Sequence, residues 1–167
     1  VIAEGKTYSV NKVIITVPLG VLLQDVDSKG AIKFTPAIPD KREATRLMGY
    51  GSVIKILMKF KEPFWKDEAL EKRLGTSLEN LSFLFSDATI PTWWTQFPEP
   101  FPILTGWLGG PRAERFSMMD EKKNLNESLK SLSHIFRIDE KILEKKLAAW
   151  HIINWIKNPF ARGAYTY

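Results

Sequence analysis

The chain contains no cysteine among its 167 residues. Disulfide bonds, thiolate metal sites and cysteine nucleophiles are therefore excluded for these residues. Histidine is nearly as scarce, because only His134 and His151 are present. Two imidazoles are too few for a metal site built from histidine.

Several other motifs and segments are also missing. The sequence has no Gly-x-Ser-x-Gly elbow, no Gly-x-Gly-x-x-Gly motif and no Walker-type phosphate loop. No apolar run approaches the roughly 18 residues needed to span a bilayer, and no signal peptide opens the chain.

From the absence of cysteine and of a membrane segment, we expect a soluble and cytoplasmic protein. The chain begins at Val1 without methionine and ends in strand-like aromatic residues, so we expect it to be a fragment of a longer protein.

Hydrophobic residues make up 44% of the sequence, which favours a folded domain over disorder. The net charge is +5, but charges of both signs alternate along most segments. This charge suits an anionic partner without requiring one. Paired carboxylates such as Asp67 and Glu68 are best interpreted as a solvated surface.

The segment from Gly51 to Phe60 predicts a strand that is covered on both faces. With a period of two, Ile54 and Ile56 point to one face, while Lys55 and Leu57 point to the other. An ammonium in the middle of such a strand needs a carbonyl, a carboxylate, water or a ligand as a partner. The alternative interpretation is a gatekeeper lysine on an edge strand that discourages aggregation.

The rest of the chain predicts an α+β fold with a mixed β-sheet flanked by helices. A hairpin is expected over residues 1–10, a buried strand over 13–17, and further strands over 31–34, 81–85, 103–107 and 151–155. Helices are expected after Pro39, Asp120 and Asp139. The helix after Asp120 should bury one apolar stripe, formed by Leu125, Leu129, Leu132 and Phe136. The inner face of the helix after Asp139 should be formed by Ile142, Leu143 and Leu147.

Aromatic residues are concentrated between Trp93 and Trp107. Adjacent Trp93 and Trp94 cannot both point inward from one strand, so one of them should face a second surface or a cleft. An aromatic cleft would suit a flat or cationic ligand, whereas ordinary core packing explains many such clusters equally well.

Four blocks of the sequence occur in a recognisable order: Lys12–Leu22, Tyr50–Ile56, Leu104–Pro111 and Asn154–Tyr167. Together they resemble the flavin-containing amine oxidases, a family that includes monoamine oxidases, polyamine oxidases and lysine-specific histone demethylases. The second block, with Lys59-Phe60 and Pro63-Phe64-Trp65 after it, resembles the strand that carries their flavin-facing lysine.

The resemblance implies roles for individual residues. Lys55 matches the lysine whose ammonium faces flavin N5 through a water, and is thereby the expected catalytic and cofactor-binding residue. Trp155 matches a tryptophan near the flavin, and Tyr165 matches a residue that walls the amine site. Ala164 stands where monoamine oxidases carry a cysteine linked to the flavin, so the resemblance implies non-covalent FAD. Trp93 and Trp94 fall in the substrate lobe and are candidate substrate-binding residues.

The resemblance also implies a domain organisation. Residues 1–24 would be a stub of the FAD-binding domain and a crossover, 25–150 the substrate-binding domain, and 151–167 the return toward the FAD-binding domain. The expected partners are an amine substrate and the missing FAD-binding domain of the same chain, without nucleic acid or a membrane span. The expected activity of the parent is oxidation of an amine to an imine, with O₂ reduced to H₂O₂. The fragment alone should not hold FAD tightly or be active.

Two other interpretations stay open. A different flavoprotein of the superfamily, such as a desaturase or an amino-acid oxidase, is one of them. An amino-acid oxidase would need an arginine for the substrate carboxylate, and Arg112 and Arg162 are both available. A basic nucleic-acid or chromatin-binding module is the other, and it would gather Lys and Arg on one face.

Overall fold

The computed structural model describes residues 1–166, which form seven strands and six α-helices. The strands are Ile2–Ala3 (β1), Lys6–Thr7 (β2), Val53–Phe60 (β3), Phe83–Phe85 (β4), Thr92–Trp94 (β5), Ile103–Gly109 (β6) and Leu147–Asn154 (β7). The helices are Leu19–Leu22 (α1), Pro39–Arg46 (α2), Glu68–Leu74 (α3), Gly110–Ser117 (α4), Glu121–Phe136 (α5) and Glu140–Lys146 (α6). The α+β class is confirmed.

Five of the strands form one sheet in the order β4-β5-β6-β3-β7, and neighbouring strands run antiparallel. The sheet is therefore antiparallel rather than mixed in strand direction. The predicted central strand is confirmed as β3, which is hydrogen-bonded to β6 on one side and β7 on the other. The edge-strand interpretation of Lys55 is wrong for this reason. The predicted cover on both faces is wrong for the face of Lys55, because Lys55 and Leu57 are only half-buried and Lys59 is exposed. β1 and β2 form the predicted hairpin by themselves.

One face of the sheet packs on the helices and forms the core. Ile54, Ile56 and Met58 are fully buried on this face, together with Leu132 and Phe136 of α5. Each fully buried side chain of this size stabilises the fold by about 1.5–3 kcal/mol. The helix-covered side of β3 is therefore a structural face, and the other side, which carries Lys55, is free for other roles.

The helix starts follow local sequence signals. The Asp120 carboxylate accepts a hydrogen bond of 2.7 Å from the Lys123 amide, and the Asp139 carboxylate accepts one of 2.9 Å from the Lys141 amide. Both aspartates are therefore the predicted N-caps. Within residues 1–166, none of the helices combines the length and the apolar character needed to cross a bilayer.

Three predictions from local pattern are wrong. Residues 13–17 are not a strand, and Ile14 is 88% exposed. Residues 31–34 also lack strand structure. A β-branched run favours an extended backbone, but a strand also needs a neighbour to pair with, and none of the described strands pairs with either segment. In α6, Leu143 is buried as expected, whereas Ile142 is exposed.

Candidate active site

A cavity of about 570 Å³ lies where the start of β3, the α1 region and the last described residues meet. Four of the six site residues predicted from sequence line this cavity: Lys55, Trp155, Ala164 and Tyr165. The remaining lining residues are Val17, Pro18, Leu19, Leu22, Tyr50, Ala161, Gly163 and Thr166.

Backbone hydrogen bonds bring the C-terminal segment to this place. The Trp155 amide donates to the Val53 carbonyl at 3.2 Å, and the Ala164 amide donates to the Gly51 carbonyl at 3.0 Å. The Gly51 amide donates to the Tyr165 carbonyl at 2.9 Å. The segment after β7 therefore folds back along the residues that precede Lys55, and this places Ala164 and Tyr165 in the cavity wall.

Tyr50 fastens the same junction with its side chain. Its hydroxyl lies 2.8 Å from the Ala161 carbonyl and 2.9 Å from the Gly163 carbonyl, and it donates to this pair of acceptors. Its ring packs so tightly that a Cβ atom on Gly20 would lie 2.6 Å from the ring, and one on Gly163 would lie 2.7 Å from it. Burial raises the pKa of the Tyr50 hydroxyl above its ordinary value. The hydroxyl therefore stays protonated and able to donate at neutral pH.

Replacing Tyr50 by phenylalanine is expected to lower the free energy of unfolding by about 1–2 kcal/mol, because two carbonyls lose their donor. Denaturant unfolding of the complete protein measures this change. Tyr8→Phe is the matched control, since Tyr8 is exposed in the β1–β2 hairpin region. Equal stability of the Tyr50 and Tyr8 variants would contradict the anchoring role.

Lys55 points away from the core, into the half-buried side of the sheet. Its Nζ lies 5.8 Å from the centroid of the Trp94 ring, which is cation–π range. Among the described residues, no carboxylate lies within 4.0 Å of this ammonium. A partly desolvated cation without an anionic partner is suited to binding a ligand that is negatively charged or has an electron-rich group.

The side chains of the adjacent residues Trp93 and Trp94 point to opposite faces of the sheet. Trp93 is fully buried on the helix-covered face, and its indole N–H donates to the Ile90 carbonyl at 3.1 Å. Trp94 is half-buried on the face of Lys55. The structure thus brings Trp94 close to the site and keeps Trp93 away from it, because adjacent strand residues point to opposite faces.

Tyr165 adopts a left-handed backbone conformation with φ of 58°. Its side chain is 62% exposed at the mouth of the cavity. Such a conformation is uncommon for a bulky residue and tends to occur where a side chain is positioned for function. The half-buried Ala164 presents only a methyl group beside it.

Neither candidate arginine lines this cavity. The Arg112 guanidinium donates to the Ala88 carbonyl at 3.4 Å, and the Arg162 guanidinium donates to the Lys29 carbonyl at 3.0 Å. The described lining of the cavity therefore contains no arginine that could bind the substrate carboxylate of an amino-acid oxidase. Sequence reasoning missed Tyr50 and the α1 region as parts of the site, although both lie inside the blocks that carry the resemblance.

Comparison with known proteins gives similarities to histone demethylases and to a polyamine oxidase. The chain is 25% identical to histone demethylase-like protein A of Aspergillus fumigatus, over 98% of this chain and 15% of that protein. It is 26% identical to lysine-specific histone demethylase 1 homolog 3 of Arabidopsis thaliana, over 99% of this chain and 10% of that protein. It is also 25% identical to the peroxisomal N(1)-acetyl-spermine/spermidine oxidase of Bos taurus, over 98% of this chain and 32% of that protein. The chain thus spans at most about a third of the length of these relatives.

Among solved structures, putrescine oxidase bound to putrescine has a similar fold, with a TM-score of 0.63 at 15% identity. The similarity covers 90% of this chain and 30% of that one. The family model described as "Flavin containing amine oxidoreductase" matches residues 1–167. The chain therefore belongs to the flavin-containing amine oxidoreductase family.

Proposed function

We propose that this chain is the substrate-binding part of an FAD-dependent amine oxidase, with residues 25–150 as the substrate-binding domain. The observation that carries the proposal is the cavity itself. It collects Lys55 from β3 with Trp155, Ala164 and Tyr165 from a segment about a hundred residues later. Family membership supports FAD as the cofactor of the complete protein, and the grouping of these residues supports the cavity as the place where it would bind.

The residues of this cavity fit a flavin. A flat, electron-rich ring system is suited to aromatic walls, which Trp155 and Tyr165 supply. The Lys55 ammonium, which has no carboxylate partner among residues 1–166, would stabilise negative charge on the ring. Ala164 offers no atom for a covalent bond to the cofactor, and the chain has no cysteine, so we infer non-covalent FAD.

Bound FAD would supply the redox chemistry, by which an amine loses two electrons and two protons to become an imine and O₂ gains two electrons and two protons to become H₂O₂. The residues of this chain contribute position and electrostatics. Lys55 would place a positive charge in the wall of the cavity, where its ammonium would face flavin N5 through a water. Tyr165 and Trp155 restrict where an amine can lie and exclude bulk water from it.

The 167 residues by themselves are expected to be inactive, because the sequence has no Gly-x-Gly-x-x-Gly dinucleotide-binding motif. The complete protein is therefore the material to assay.

The proposal predicts that the complete protein purifies yellow, releases its flavin on acid precipitation, and produces H₂O₂ with at least one primary or secondary amine. Absorbance near the flavin bands and a peroxide-coupled assay measure these properties. The protein without added amine is the background control. A complete protein that retains no flavin, or that yields no peroxide with any amine of a broad panel, would overturn the proposal.

A further inference from the structure

The sheet face that carries Lys55 has an aromatic half. Four side chains, Phe83, Phe85, Trp94 and Trp107, lie on this face, and we call them the aromatic ledge. Strand register fixes their common orientation, because Phe83 pairs with Trp94 across β4 and β5, and Trp107 pairs with Lys55 across β6 and β3. The ledge therefore begins beside the Lys55 ammonium and runs toward the β4 edge.

The β4 end of the ledge is an exposed apolar surface, whereas Trp94 and Trp107 are half-buried. The rings of Phe83 and Phe85 stack with centroids 6.2 Å apart and planes 7° apart, and Trp94 follows 6.1 Å from Phe83. Phe83 is 60% exposed and Phe85 is 77% exposed. Exposed aromatic surface beside a cavity is typical of a place where an apolar group of a ligand rests.

The described strand residues on this face include lysines but no acidic side chain. The ionisable side chains at its strand positions are Lys55, Lys59 and His151, and none of the described strand residues on this face is aspartate or glutamate. In the direction away from the ledge lies a hollow of about 380 Å³, where Lys59 and His151 stand beside Leu57 and Ile103. A second ammonium of a substrate placed there would meet the Lys59 ammonium, and none of the described residues that line this hollow carries a carboxylate. Like charges at short range repel.

The geometry points to a substrate class that rests on the proposed function: a monoamine whose remaining part is uncharged and aromatic or aliphatic. The body of such an amine would lie on Trp94 and Trp107, with its amine end in the cavity beside Lys55. Diamines, polyamines and lysine-rich peptides are disfavoured, because the described strand residues of this face offer no carboxylate to their additional cations.

The test uses the complete FAD-loaded protein, mixed without oxygen with 2-phenylethylamine, butylamine, putrescine or spermidine. The rate constant for flavin reduction divided by the amine dissociation constant is compared. We expect 2-phenylethylamine to exceed putrescine and spermidine by at least about tenfold. Reduction by putrescine or spermidine as efficient as by 2-phenylethylamine overturns this inference and leaves the proposed function intact. Reduction by none of the amines overturns both.

Two variants test the two parts of the inference separately. Trp94→Leu is expected to lower the ratio of 2-phenylethylamine to butylamine efficiency by about fivefold, because only the aromatic amine uses the indole face. Lys59→Glu is expected to raise putrescine efficiency by about fivefold. Lys122→Glu, an equal charge change on an exposed position of α5, is the control and should leave it unchanged. An unchanged ratio in the first variant, or equal behaviour of the second and its control, overturns the corresponding part.

Discussion

Replacing Lys55 by methionine is expected to leave FAD bound in the complete protein while slowing oxidative turnover by roughly 100-fold or more. Methionine fills a similar volume, so the half-buried position between Trp107 and Ile153 stays packed. The ammonium is lost, and with it the positive charge that we assign to the flavin side of the cavity. Stopped-flow measurement of flavin reduction and of reoxidation by O₂, at fixed amine, separates the two half-reactions.

Lys122→Met is the control for the loss of a lysine, because Lys122 is exposed on a helix that packs on the other face of the sheet. It should retain the turnover of the unmodified protein. Unchanged kinetics of the Lys55 variant, with FAD retained, would remove this residue from the mechanism. Loss of FAD together with turnover would instead show that Lys55 acts in cofactor binding.

Replacing Trp93 by alanine is expected to lower the free energy of unfolding by about 3–5 kcal/mol, the largest stability effect that we predict. Trp93 is fully buried, and its ring lies against Gly106, where a Cβ atom would approach to 2.8 Å. The glycine thus leaves room for the indole, and alanine at position 93 would leave a cavity. The variant also removes the donor to the Ile90 carbonyl.

Trp94→Ala is the matched control, since it removes the same side chain from the adjacent residue on the opposite face. It should lower the free energy of unfolding by less than half as much as Trp93→Ala, because Trp94 is only partly buried. Denaturant unfolding followed by far-UV circular dichroism compares the two without depending on tryptophan emission. Equal losses for the two variants would contradict the assignment of Trp93 to the core and Trp94 to the open face.

The elements that sequence alone could predict are those set by local chemistry. The alternation in β3 follows from Ile54, Lys55 and Ile56, and the starts of α5 and α6 follow from aspartate caps. These signals act within a few residues, so no knowledge of the tertiary fold is needed to interpret them.

The incorrect predictions concern segments whose structure depends on which other segment pairs with them or covers them. Residues 13–17 have the composition of a buried strand, yet they pair with no described strand and expose Ile14. The stretch from Lys66 to Asn80 is rich in charged residues and has no clear apolar period, yet it contributes Leu70 and Leu78 to the core. Local pattern cannot determine which neighbour covers a given side chain.

Apart from Lys55, the residues of the candidate site were predictable only through the family resemblance. Composition and spacing singled out Lys55 but not its companions, because Tyr50 meets Ala161 and Gly163 across separations of 111 and 113 residues. Contacts of this range depend on the whole fold. The exposed Phe83 and Phe85 were likewise missed, since a three-residue strand gives too short a pattern to assign a face.

The central claim is that the face of β3 bearing Lys55 receives the flavin. A crystal structure of the complete FAD-bound protein tests it most directly, through the distance between Lys55 Nζ and flavin N5. The account predicts one bridging water and therefore a separation of about 5–6 Å, the length of two hydrogen bonds. A flavin bound elsewhere, with the Lys55 ammonium facing bulk solvent or an acidic side chain, would contradict it.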